Sequence, residues 1–268
     1  MASLAIRHDE SDAHGDRPRD YTPRRMRVAI LSDIHANLVA LDAVLSAVGS
    51  VDEVWQLGDI VGYGPDPDGV VDRLRDIGAV GVRGNHDAAA IGDLELDWFN
   101  ADARRAVEWT RATAAPRTFE WLRARPEVEV RSGAALVHGS FRDPIWEYVT
   151  HAPVAGASLD RLADHGVAVG FFGHTHVPIL FRRSDGRVEA QEPVAGVPVR
   201  LDDRPTLLNP GSVGQPRDGD PAASALALDL GRREVTWLRI PYDVPAVQAR
   251  MRDVGLPERL AARLAFGL

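Results

Sequence analysis

The chain has 268 residues, 45% of them apolar, which suffices for a full core in one large domain. Its formal net charge is −8, all 31 basic residues are arginine, and it contains no cysteine. So acidic a chain lacks the basic face of a bulk nucleic-acid binder, and without thiols there are neither disulfides nor thiolate metal sites.

Residues 1–25 are polar and contain proline without the apolar stretch of a secretory leader, so they predict a disordered tail. No apolar run reaches the ~18 residues that a membrane-spanning helix requires, and a cytoplasmic location without a membrane partner is expected. Residues 26–268 are expected to form a single domain. Arg27–Ser32 has the apolar character of a buried strand, and Leu38–Val48 carries apolar residues at helical spacing. Glu53–Leu57 predicts a strand, Pro67–Ile77 a helix and Ala79–Val82 a third strand. This β-α-β-α-β alternation favours parallel strands joined by crossover helices.

From Leu94 to Arg125 the pattern turns helical and rich in rings, with Trp98, Phe99, Trp109, Phe119 and Trp121. That stretch is expected to cover the sheet, either as core packing or as a lid and substrate platform. Short strands are predicted at Val128–Arg131 and Ala134–Val137, a helix near Pro153–His165, and a buried strand at Val167–Phe172. Hairpin-like strands follow at Ile179–Arg183, Arg187–Gln191, Thr206–Leu208, Ala223–Leu230 and Glu234–Ile240. From Val244 to Phe266 the spacing predicts amphipathic helices broken near Gly255 and Pro257.

Five fragments stand beside these elements: Asp33-Ile34-His35, Gly58-Asp59, Gly84-Asn85-His86-Asp87, Val137-His138-Gly139 and Gly173-His174-Thr175-His176. Polar side chains of this kind add nothing to an apolar run, but imidazole and carboxylate oxygen are ligands for borderline and hard metal ions. Ligands in open α/β sheets gather outside the carboxyl ends of strands, where Asp33, Asp59 and Asn85 are expected. Each fragment also has a plain structural reading. Asp33 could cap the helix starting near Asn37, Asp59 could open a turn before Gly62 and Gly64, and Asp87 could cap a helix. His138 could be a polar turn residue, and His174 with His176 a solvated strand end. His8, His14, His151 and His165 have no such setting and are assigned no metal role.

In this order the fragments resemble the calcineurin-like metallophosphoesterase superfamily, whose pattern is D-x-H, G-D, G-N-H-D, a lone H and G-H-x-H. The likeness runs from Asp33 to His176, and the ordered set carries it rather than any one fragment. It implies an α/β fold, a four-layer α-β-β-α sandwich of two mixed sheets flanked by helices, with the later hairpins building the second sheet. It implies two divalent transition-metal ions from among Mn, Fe, Zn, Co and Ni. Asp33, His35 and His176 would hold the first, Asn85, His138 and His174 the second, and Asp59 would bridge them. A bridging hydroxide would attack phosphorus in line. His86 would contact the phosphate and give a proton to the leaving oxygen, and Asp87 would orient His86 or cap the following helix. Asn85, His86 and Arg217 are the expected substrate contacts, with Tyr63, Asn37 and Arg83 also near the strand ends.

The stretch Gly58–Pro65 and the loop Asn209-Pro210-Gly211-Ser212-Val213-Gly214 resemble the small bacterial and archaeal phosphodiesterase or diadenosine-tetraphosphatase-like branch. The implied activity is hydrolysis of small phosphodiesters, phosphomonoesters or nucleotides. Two rival readings predict different behaviour. A serine/threonine-type protein phosphatase requires an open cleft instead of one roofed by residues 94–125, and a non-catalytic metal-binding scaffold predicts bound metal without turnover.

Overall fold

A computed structural model describes residues 26–268, so the tail expected over 1–25 lies outside the described residues. The first half follows the expected alternation: β1 (Arg27–Leu31), α1 (Leu38–Val48), β2 (Glu53–Gln56), α2 (Pro67–Asp76) and β3 (Val80–Gly81). β1 pairs with β2 and β2 with β3, both in parallel. Asn37 caps α1 by accepting the Ala40 N–H at 3.0 Å, and Pro67 sits in the first turn of α2, where its missing N–H is no loss.

α3 (Asn85–Ile91) begins inside the G-N-H-D fragment, with Gly84 as its N-cap. Seven residues, all buried, show no amphipathic period, so the only sequence sign of this helix is the cap expected of Asp87. The cover expected at 94–125 divides into a 3-10 turn (Leu96–Trp98), α4 (Ala101–Thr113) and α5 (Pro116–Arg123). Pro116 cannot continue α4 and instead starts α5.

The remaining elements are β4 (Val128–Arg131), β5 (Ala134–Val137), α6 (Ala152–Leu162), β6 (Val169–Phe171), β7 (Ile179–Ser184) and β8 (Arg187–Gln191). After them come β9 (Val199–Arg200), β10 (Thr206–Asn209), β11 (Ala223–Asp229), β12 (Glu234–Ile240), α7 (Val244–Asp253) and α8 (Glu258–Arg263). Two six-stranded mixed sheets result, ordered β3-β2-β1-β11-β12-β9 and β4-β5-β6-β10-β7-β8.

One placement corrects the expectation that the late hairpins build the second sheet. β7 and β8 do so, but the β11–β12 hairpin joins the first sheet, with β11 antiparallel to β1. β1 is buried and has β2 along one edge only, so its other row of N–H and C=O groups needs a partner, and the largely buried β11 supplies one. The two-residue β9, unmarked in the sequence, then pairs with β12.

The period of two in β1 (R-V-A-I-L) sets the layers. Val28 and Ile30 point between the sheets, where Trp55 and Trp237 meet Leu136, Phe171, Leu180 and Leu208. Ala29 and Leu31 face the other way, onto Leu41 and Val44 of α1 and Val70 and Leu74 of α2. On the second sheet, Ala135, Val137, Phe181 and Leu207 pack on Ala155, Leu159 and Leu162 of α6. Each large apolar side chain so buried contributes roughly 1.5–3 kcal/mol. The product is the four-layer α-β-β-α sandwich. Among the described residues no helix is long and apolar enough to cross a membrane.

Candidate metal centre

The chain leaves β1, β2, β3, β5 and β6 at one end of the sandwich, and every fragment singled out in the sequence lies just beyond one of these strands. The backbone there is strained. Asp33, His35, Asp59, His174 and His176 adopt φ of 52°, 48°, 51°, 64° and 61°, a region that non-glycine residues occupy at a cost of about 1 kcal/mol or more each. Glycines allow the close approach. A Cβ on Gly84 would collide with the Asp59 carboxylate, and one on Gly173 would collide with Ser32 and press on the Asp33 carboxylate.

Two groups of ligand atoms converge, and they share Asp59. In the first, Asp33 Oδ1 lies 3.2 Å from His176 Nε2, and Asp59 Oδ2 lies 3.7 Å from His35 Nε2. In the second, the same Asp59 oxygen is 3.4 Å from His138 Nε2, which is itself 3.1 Å from both Asn85 Oδ1 and His174 Nδ1. All seven side chains are buried.

The far ring nitrogens decide what these imidazoles present. His35 Nδ1 donates to the Val61 carbonyl at 3.1 Å and His138 Nδ1 to Leu57 at 2.8 Å. His174 Nε2 donates to Trp146 at 3.2 Å and His176 Nδ1 to Gln215 at 2.6 Å. A carbonyl only accepts, so each neutral ring holds its proton away from the centre and turns a lone pair towards it. Asp33 Oδ2 accepts from Ser32 Oγ at 2.6 Å and from the His174 N–H at 3.1 Å, while Asp33 Oδ1 is buried with no hydrogen-bond partner among the described residues. Converging lone pairs beside an orphaned carboxylate oxygen need positive charge. The mixed N and O donors fit a pair of divalent cations.

Protonation follows the same logic. Burial opposes charge on Asp33 and Asp59, yet the imidazoles around them prevail and hold both carboxyls well below the usual range. Burial pushes His174 down to about 3 and lowers His35 and His176 as well. On His138 burial acts the same way, but the Asp59 and Asp33 carboxylates and the Leu57 carbonyl outweigh it and raise the ring to about 9.

The calcineurin-like phosphoesterase superfamily domain matches residues 26–232. The chain belongs to that superfamily. A metallophosphoesterase from Sphaerobacter thermophilus of known structure is 42% identical, covering 91% of this chain and 100% of that one with a TM-score of 0.83. An uncharacterised protein of Methanocaldococcus jannaschii is 34% identical over 90% of this chain and 98% of its own. The phosphodiesterase YfcE of Escherichia coli is 27% identical over 74% of this chain and 85% of its own. This calcineurin-like phosphoesterase is therefore a metal-dependent phosphoric ester hydrolase of a dimetal family.

The centre opens into a cavity of about 70 Å³ whose floor includes Asp59, Asn85, His86, His174 and His176. Its walls carry Tyr63, Trp98, Phe99, Trp146 and Tyr148, with Arg217 at one side. Among the described residues His86 is the exception to the buried histidines: neither ring nitrogen is bonded to a backbone carbonyl, and Nδ1 has no partner there. Its ring is wedged between Tyr63 (centroids 4.3 Å apart) and Phe99 (5.0 Å), and burial lowers it to about 4.

Asp87 does not hold the His86 ring. Its carboxylate accepts the N–H groups of Ile60 (2.8 Å), Val61 (3.1 Å) and Gly84 (3.0 Å), so it caps α3 and ties down the Asp59 loop. Burial, then the nearby Asp59 charge, push it up to about 7 against those donors. Arg217 places one terminal nitrogen 3.4 Å from the Tyr63 hydroxyl and 3.1 Å from Gln215 Oε1, and its Nε has no partner among the described residues. The other candidates divide. Tyr63 lines the cavity, Asn37 caps α1 and donates to the Gly214 carbonyl, and Arg83 is drawn off into ion pairs with Asp93 and Glu127.

The Asn209–Gly214 loop braces the centre: Asn209 Nδ2 donates to the Gly173 carbonyl at 2.7 Å and Ser212 Oγ to the Asp33 carbonyl at 2.8 Å. The ring-rich cover serves both of its expected ends. Trp109, Phe119 and Trp121 pack in the core, while Trp98 and Phe99 line the cavity. No sequence motif marks Trp146 or Tyr148, although the Trp146 carbonyl holds His174 and the Tyr148 ring stacks on it at 3.8 Å. Their only local sign was two exposed-type aromatics in a loop.

Proposed function

We propose that this chain hydrolyses small phosphate esters, diesters or monoesters with nucleotides among them, at a dinuclear centre. Asp33, His35 and His176 hold one ion, Asn85, His138 and His174 the other, and Asp59 both. The observation that carries this reading is one Asp59 oxygen lying within 3.7 Å of His35 Nε2 and 3.4 Å of His138 Nε2. Two divalent ions bound there supply the positive charge that draws in a phosphoryl group and acidifies the attacking water.

The protein's own groups do the rest. The Arg217 guanidinium meets phosphate oxygens at the cavity wall, a task suited to its planar fork of donors. His86, free of any carbonyl tether, faces the leaving oxygen; lowered to about 4 by burial, its ring takes up the proton for that oxygen when the negative charge of a bound phosphate raises it. Asn85 holds both an ion and the substrate. Asp87 fixes the backbone on which Asp59 and His86 sit. Ligands drawn from both sheets support residues 26–268 acting as one catalytic domain.

The test is hydrolysis of p-nitrophenyl phosphate, its bis ester, nucleotides and a phosphopeptide, each with Mn²⁺, Fe²⁺, Zn²⁺, Co²⁺ and Ni²⁺. Turnover of the small esters, exceeding that of the phosphopeptide, is expected because Trp98, Phe99, Trp146 and Tyr148 crowd the cavity. Faster phosphopeptide hydrolysis would establish a protein phosphatase. Stoichiometric metal without turnover of any substrate would establish a binding scaffold.

A further inference from the structure

The cavity over the ligand cluster, about 70 Å³, holds a handful of water-sized groups and hence a phosphoryl group, but not the body of a nucleotide. Whatever the phosphate is attached to must pass out through the rim. Trp98 stands on that rim with 78% of its surface exposed. Most large indoles are substantially buried, so one this bare beside a catalytic cavity calls for a reason.

The chain just after it is fixed. Phe99, the next residue, packs edge-on against the His86 ring at 5.0 Å, and Asn100 caps α4 by accepting the Ala103 N–H at 3.0 Å. The backbone that carries the indole is thus set at the rim before any ligand arrives, which lowers the ordering cost of binding. Across the mouth, Trp146 lies 6.4 Å from Trp98 between centroids, tilted by 42°. A ring clamped between two parallel rings needs about 7 Å between them, twice the contact distance of carbon atoms. No such slot exists. The outer face of Trp98 is open instead.

Resting on the phosphoesterase reading, we infer that Trp98 is a specificity-determining stacking platform, and that the preferred substrates are nucleoside phosphates whose base lies on its outer face. Base-on-aromatic stacking tolerates any base, because every base has a flat π face. The rim therefore selects for a nucleobase rather than for a particular one. Arg217 on the cavity wall and the dinuclear centre on its floor read the phosphate end of the same molecule.

The experiment compares adenosine 5′-monophosphate with ribose 5-phosphate, which lacks the base, on the metal-loaded full chain. Competition against bis-p-nitrophenyl phosphate turnover gives one measure of affinity, and tryptophan fluorescence quenching gives another that does not depend on turnover. The wild-type chain should bind the adenosine compound at least about tenfold more tightly. Trp98→Ala, a substitution at an exposed site, should bring the ratio to within about twofold, and Trp98→Phe should keep it above about threefold. Equal wild-type affinities, or an undiminished ratio in Trp98→Ala, overturn the platform. Phenyl phosphate showing the same dependence on Trp98 as the adenosine compound overturns the nucleobase assignment. Absence of nitrophenyl ester turnover with every metal, with the fluorescence ratio intact, is the separate failure of the phosphoesterase reading.

Discussion

His35 and His176 bring their Nε2 atoms to 3.2 Å from each other while the Val61 and Gln215 carbonyls already hold the opposite nitrogen of each ring. Neither neutral ring has a proton left to place between them, so two lone pairs face each other beside the unpaired Asp33 Oδ1. The fold aims both lone pairs at one point, and their mutual repulsion is what a bound ion offsets. A cation relieves it, and the relief is measurable as stability. At a hundred times its dissociation constant one ion adds about 2.7 kcal/mol, and roughly 5 °C or more in Tm is expected from Mn²⁺ added to chelator-treated protein. Thermal scans with and without metal check this, and an unchanged Tm across the divalent series would count against the assigned centre.

Asp59→Asn keeps the size of the side chain and an oxygen for the His86 N–H, now accepted at 2.8 Å, but removes the charge that both ligand groups share. Metal content should fall from two ions per chain to one or none. Turnover should drop at least about a hundredfold, because several kcal/mol of transition-state charge stabilisation depends on the ions. Elemental analysis alongside nitrophenyl ester kinetics reports both quantities, and unchanged metal content would remove Asp59 from its bridging place.

His86 and Asp87 are neighbours whose substitutions should behave differently. His86→Ala should lower kcat by about 10²- to 10⁴-fold, the usual range for a proton-transfer group, with two ions still bound. Asp87→Asn puts an amide where Gly84, Ile60 and Val61 need an acceptor, and should cost about 1–3 kcal/mol in urea unfolding. Because Asp87 binds backbone and not the His86 ring, the pH profile of the remaining activity should keep its shape. A shifted profile in Asp87→Asn would show that it tunes His86 after all.

His138 links the centre to pH. Raised to about 9 by Asp59 and Asp33 against the pull of burial, it is protonated at neutral pH in metal-free protein, so a cation at Nε2 must displace that proton. Metal uptake at pH 7 should release about one proton from this site, and affinity should weaken as pH falls. The metal-free fold behaves in the opposite sense. A ring whose pKa is higher folded than unfolded stabilises fully below about pH 6.5 and loses that contribution as pH rises through about 9. Calorimetry in buffers of different ionisation enthalpy counts the protons, and chelated His138→Gln should lose the decline in stability between those two values.

Much of the site was legible because local chemistry names it. A strand such as Arg27–Leu31 followed by Asp33-Ile34-His35 puts ligands at a strand end whatever else the chain does, and the β-α-β order directs successive strand ends to one side. Other features left no local trace. α3 is too short and too uniformly buried to show a period, and Arg83 looked well placed until Asp93 and Glu127 claimed it. β11 could have paired in either sheet. Only the open edge of β1 settles that choice.

By itself the sequence determined the inventory: three carboxylates, an Asn and five histidines at strand ends, with no thiol to compete for metal. Tertiary structure decided how they are divided. It put Asp59 between two clusters, turned four imidazoles inward through carbonyls 26 to 81 residues away, left His86 untethered, and spent Asp87 on backbone. It also drew Trp98 and Trp146 from separate segments to one rim. Residue type is written along the chain, but the direction of a lone pair or the face of a ring depends on distances that only the packed sheets set.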